Sequence, residues 1–143
     1  MFAKAILKSS RKTYCMTSDL LNEQALPVFV ILAETLEKWK SPNTPEGKAA
    51  LIEHYAWGAE MKAKGMIILA GPTNMELIAN NEYKTLGQIT GLIMIHAASR
   101  EEAVLVAERD PFHVNGYRRN TVHSMRISIT DPPVYETLCN IIL

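Results

Sequence analysis

At 143 residues the chain is long enough for one domain with a real core, and 48% hydrophobic with 21% charged residues is a globular balance, not a disordered one. Fifteen basic and fifteen acidic side chains cancel, which removes the net field that draws a protein to nucleic acid or an anionic membrane. Cys15 and Cys139 fall near opposite ends and form no CxxC pair, so reduced thiols in a cytoplasmic protein are expected, a bridge tying the termini being the alternative.

Residues 1–18 carry Lys4, Lys8, Arg11 and Lys12 and no acid. This stretch reads as an extension ahead of the domain, with Met16 as one candidate for the functional start. A basic, acid-free start also suits a transit peptide, whereas the apolar Ala5-Ile6-Leu7 stretch is short for a secretory signal. No run in the chain approaches the ~18 uninterrupted apolar residues of a membrane-spanning helix. The expected organisation is an extension over 1–26, a domain over 27–130 and a tail over 131–143.

The first strand is expected from Pro27 to Glu34, where Val28, Val30 and Leu32 alternate with Phe29 and Ile31, so both faces are apolar. Two prolines, an asparagine and a serine make Lys38 to Pro45 a loop. Thr44 then supplies an N-cap and Pro45 a first helical position. The helix should run to about Lys64 and stop at Gly65 in the left-handed cap position. At 100° per residue Leu51, His54, Tyr55, Gly58 and Met61 share one stripe, which puts His54 on or beside the inward face. Lys62 falls in the same arc and must lift its ammonium clear.

Met66 to Ala70 is expected as a short buried strand halted by Gly71-Pro72. Thr73 to Gln88, polar and rich in asparagine, reads as a long excursion of the kind used for lids and binding loops. Ile89 to Ala97 is the next strand. A Ser99-x-x-Glu102 capping box opens a second helix through about Arg109, and Pro111 forces Asp110 out of helical geometry. The last strand runs from about Arg118 to Ile129, its residues alternating as a half-buried strand does. The order β-α-β-β-α-β predicts an α+β, ferredoxin-like antiparallel sheet with both helices on one face. The other face is apolar too, which predicts a second sheet packed on it, most simply that of an identical subunit.

Two residues stand out for chemistry. Histidine ionises near neutrality and so serves as a proton carrier; on an apolar stripe His54 is equally a satisfied core residue. Asp110, at a helix C-terminus, faces the negative end of the dipole, a placement that does not suit a cap; the plain reading is an exposed Asp opening a D-P turn. His96, His113 and His123 take the bland reading. Trp39, Trp57, Tyr117 and Phe112 line a pocket or fill the core. No HxxxH or Cys–His spacing, Gly-rich phosphate loop or GxSxG elbow is present, so no metal and no organic cofactor is expected.

Taken together, the stretches HYAWGAEMKAKGMIILAGP and AERDPFHVNGY are more specific. A helix-borne His54, a strand ending in Gly71-Pro72, and a second helix ending in Asp110-Pro111-Phe112 before Gly116 resemble, in order and spacing, the YciI-like family. The resemblance spans most of Pro27 to Ile129. It implies a dimeric α/β barrel with a ferredoxin-like subunit and a His–Asp pair, here His54 and Asp110, in a pocket between sheet and helices. Gly71, Pro72 and Phe112 become the substrate-binding candidates. Similar members include a dehydrochlorinase acting on chlorinated hydroxyquinols, and the wider fold includes muconolactone isomerases. One frequent feature is missing: Leu51 stands where an arginine precedes the histidine by three positions, so no anion-binding role carries over to it. The implied function is general acid/base elimination, isomerisation or hydrolysis on a small cyclic or aromatic molecule by a homodimer. The alternative is a non-catalytic ligand-binding or accessory domain whose His–Asp pair is structural.

Overall fold

A computed structural model describes residues 27–76 and 85–126. Its elements are β1 (Val28–Thr35), α1 (Pro45–Ala63), β2 (Ile67–Pro72), β3 (Ile89–His96), α2 (Arg100–Glu108), α3 (Pro111–Val114) and β4 (Arg118–Met125). The four strands form one sheet in the order β2-β3-β1-β4 with every neighbouring pair antiparallel. This is the ferredoxin-like α+β arrangement expected from the order of elements, with a one-turn helix, α3, added before β4.

The alternation in β1 decides where the core lies. Phe29, Ile31, Ala33 and Thr35 are buried, while Val28, Val30, Leu32 and Glu34 are half-buried on the opposite face. In register, Ile31 stands between Ile93 of β3 and Val122 of β4. Trp57 and Met61 from α1 and Ala103, Val106 and Ala107 from α2 close over this layer as one cluster. The small residues of α2 let its backbone approach the sheet, and α1 supplies the bulk.

Local chemistry sets the helix ends. Thr44 Oγ1 accepts from the Gly47 N–H at 3.1 Å and donates to the Ser41 carbonyl at 2.8 Å, which joins the cap to the preceding loop. The loop comes so close that a Cβ on Gly47 would lie 2.0 Å from the Ser41 carbonyl oxygen. Gly65 ends the helix with φ +70°, a backbone angle that glycine adopts without strain. At α2, Ser99 Oγ accepts from the Glu102 N–H at 3.1 Å and Glu102 reaches back to the Ala98 N–H at 2.5 Å.

Two expectations need correction. The inward stripe of α1 runs through Gly47, Ala50, Trp57 and Met61; Tyr55 is 66% exposed. The stripe is rotated toward Trp57, which, unlike Tyr55, belongs to the core cluster with Ile31 and Ile93. Likewise β2 is not a short buried strand halted by Gly71-Pro72. It runs through both residues, which pair with Leu92 and Gly91, and Leu69 to Pro72 are exposed. It is an edge strand, the position in a sheet that tolerates a residue without an N–H donor.

Residues 77–84 of the expected excursion, the end of the last expected strand, both cysteines, the basic start and the tail lie outside the described residues. Among the described residues no helix is long and apolar enough to cross a membrane.

Candidate functional site

The site is built where the middle of α1 meets the junction of α2, α3 and β4. His54 Nδ1 lies 2.7 Å from Asp110 Oδ1, across 56 positions of sequence. Asp110 is fully buried. Its place is not that of an exposed turn residue at the wrong end of a helix. It is the N-cap of α3, with Pro111 at the first helical position, and its Oδ1 also accepts from the Phe112 N–H at 3.0 Å. The carboxylate thus meets the positive end of the following helix turn, and the unfavourable end of α2 is offset.

Asn120 completes the support. Its Nδ2 donates to Asp110 Oδ2 at 3.0 Å and to the Ala107 carbonyl at 2.9 Å, while its N–H donates to His113 Nδ1 at 3.1 Å. Burial pushes the Asp110 pKa up and is the largest single influence. The hydrogen bond and charge of His54, then Asn120 and the Phe112 N–H, together outweigh it and hold the carboxyl below its ordinary value. Asp110 is therefore ionised at neutral pH and is an acceptor on both oxygens. An ionised partner requires His54 Nδ1 to carry hydrogen, which leaves the Nε2 lone pair for the neutral imidazole.

The imidazole stacks on Phe112, with ring centroids 4.3 Å apart at 18°, and lies 5.6 Å from the Trp57 ring. Packing on two aromatic rings and an anchored Nδ1 fix its plane. Beside it opens a cavity of about 370 Å³, the size of a site for a small organic molecule. His54, Asp110, Gly71, Pro72 and Phe112 all line it, as do Leu51 and Trp57. The five candidate positions, scattered from 54 to 112, therefore meet at one hollow.

Two residues escaped the sequence reading. Asn120 holds Asp110 Oδ2, and Arg118 lines the cavity although only 8% exposed. Both share the strand phase of buried Val122, but polar side chains stand on both phases of β4, so alternation gave no signal that singled them out. Arg118 Cζ lies 4.8 Å from the ring centres of Trp39 and of Phe112. Burial holds the guanidinium pKa below its ordinary value, and Asp110 and Tyr55 oppose that shift only in part. Of the other histidines, His96 is buried, His113 accepts from the Asn120 N–H, and His123 Nε2 lies 3.1 Å from Thr121 Oγ1. Among the described residues no group of His, Cys, Asp and Glu side chains is arranged to hold a metal ion.

No curated protein matches the chain in sequence. Among solved structures it is similar to a 5-chloro-2-hydroxyhydroquinone dehydrochlorinase from Burkholderia phenoliruptrix AC1100, in complex with 2,5-dihydroxybenzoquinone. The identity is 20% and the TM-score 0.45, over 69% of this chain and 93% of that one. Residues 28–126 match the YCII-related domain, which takes in every element of the sheet and all the residues around the cavity. The chain belongs to the YCII-related domain family.

Proposed function

We propose that the chain is a small enzyme that moves a proton on a small cyclic or aromatic molecule, with His54 Nε2 as the acid/base atom and Asp110 orienting the imidazole. The observation that supports this most is the buried, ionised Asp110 engaging Nδ1, which leaves the other ring nitrogen uncommitted at a residue lining the cavity. As base, Nε2 takes a proton from the bound molecule, and the carboxylate stabilises the imidazolium that results. As acid, the imidazolium returns the proton to a leaving group or an adjacent carbon. Such a positioned group contributes typically ~10²–10⁴-fold to rate. Elimination, isomerisation and hydrolysis all fit, and Gly71, Pro72 and Phe112 are the positions that bound the substrate.

His54→Gln keeps a polar side chain of similar reach but has no group that takes up and releases a proton near neutral pH. On this reading it abolishes turnover of a substrate found by screening cyclic acids, enols and esters, while circular dichroism and the thermal midpoint stay near wild type. Turnover retained in a folded His54→Gln protein refutes the assignment.

The active form on this reading is a homodimer paired through the sheet face opposite the helices. Val28, Val30 and Leu32 of β1 lie half-buried on that face, and the exposed Leu69 and Met125 extend it. Sedimentation at micromolar concentration should give twice the chain mass; a monomer there removes the dimer from the account.

A further inference from the structure

Of the cavity's lining residues, Arg118 has no place in the proton-transfer reading. It is 8% exposed, sits at the first position of β4, and belongs to none of the ion pairs among the described residues, which are His54–Asp110, Glu60–Lys64 and Glu34–Arg119. Its Nε is sealed from solvent without an acceptor. An arginine stays protonated in a protein and offers five N–H donors in one plane. Burying that charge is costly unless acceptors meet it.

The surroundings compensate the charge only in part. Trp39 and Phe112 give the guanidinium ring contacts at 4.8 Å each, which satisfy its flat faces but none of its N–H groups. Asp110 acts on it through space, yet both carboxylate oxygens are already taken by His54, Phe112 and Asn120. Space is kept for the guanidinium: a Cβ on Gly91 would lie 3.0 Å from Arg118 Nη1 and 3.2 Å from Ala33 Cβ, and Gly91 also lines the cavity. Trp57, a further lining residue, likewise has a buried Nε1 with no acceptor. The cavity is otherwise bounded largely by apolar side chains, including Leu51, Ile67 and Ile93.

We infer that Arg118 is the anion-binding residue of the cavity, and that the molecule bound beside His54 is a small planar anion, a carboxylate or enolate on a cyclic skeleton, whose negative oxygens meet the guanidinium. This rests on reading the cavity as a substrate site. It adds the substrate's charge and a second role at the reacting centre: negative charge left on an oxygen when His54 takes a proton falls to Arg118, where a preorganised cation stabilises it. Protons balance, since the one leaving the bound molecule goes to Nε2 and the electron pair stays on the anion.

The test uses two probes of one shape at neutral pH, salicylate and its neutral amide, salicylamide, titrated into the full chain by calorimetry. A charge-assisted contact in this setting predicts that salicylate binds about tenfold or more tightly than salicylamide. Arg118→Met, which keeps the apolar stem, should erase that preference; if that variant does not fold, the wild-type comparison decides alone. Equal affinity for the two probes, no salicylate binding at millimolar concentration, or the preference surviving in folded Arg118→Met overturns the inference. These probes undergo no turnover, so a failure here leaves the His54→Gln test standing, and a failure there leaves the anion preference standing.

Discussion

Asp110 binds two things with one carboxylate oxygen: the His54 Nδ1 at 2.7 Å and the Phe112 N–H that opens α3 at 3.0 Å. The group that orients the imidazole is thereby the same group that starts the turn carrying Phe112, the ring on which the imidazole lies. Orientation of the imidazole and shape of the cavity beside it are consequently set together.

Asp110→Asn tests the first half of that coupling. The amide keeps the size of the side chain but loses the charge that enforces hydrogen on Nδ1, so the neutral ring can adopt the other tautomer. Turnover should fall by about 10²–10⁴-fold with the cap largely kept, because asparagine is also a good N-cap. Near wild-type turnover would mean that the carboxylate does not set the working state of the ring.

Acid titration tests the second half. The Asp110 pKa is lower folded than unfolded, burial being outweighed by His54, Asn120 and the Phe112 N–H. The unfolded chain therefore holds the proton more tightly, and the ionised carboxylate contributes stability that is present above the unfolded value of about 3.9. That contribution fades as pH falls from there through the folded value. The stability difference between wild type and Asp110→Asn should shrink as pH falls below about 4. A difference that stays unchanged into stronger acid would contradict the direction of the shift.

The packing of α1 yields a sharper contrast. Trp57 is 8% exposed within the core cluster, whereas Tyr55 is 66% exposed. Trp57→Ala should cost about 3–5 kcal/mol of stability, and Tyr55→Ala within about 0.5 kcal/mol, measured by urea unfolding. The reverse ranking would return the helix to the stripe expected from sequence.

That reversal also marks what the sequence can carry. Thr44-Pro45, Gly65 and Ser99-x-x-Glu102 are chemical signals tied to one backbone geometry each, and the helices start and stop where they direct. The approach of His54, Gly71-Pro72 and Asp110-Pro111-Phe112 was legible only through the resemblance to the YciI-like family that their order and spacing carry. The rotation of α1 was not, since Tyr55 and Trp57 are both large rings and only the shape of the sheet below selects between them. Asp110 as a cap was hidden because α3 has four residues, too few to leave a periodic pattern. Arg118 and Asn120 were missed because polar side chains occur on both phases of β4, so alternation alone does not say which phase faces the helices.

The central claim is that Nε2 of His54 holds the working lone pair, because Asp110 keeps hydrogen on Nδ1. Nitrogen-15 spectra of the histidine rings, assigned by comparison with His54→Gln, read this directly. For the neutral His54 ring the account predicts a protonated Nδ1 and an unprotonated, ligand-sensitive Nε2. A neutral ring with its hydrogen on Nε2 would contradict it.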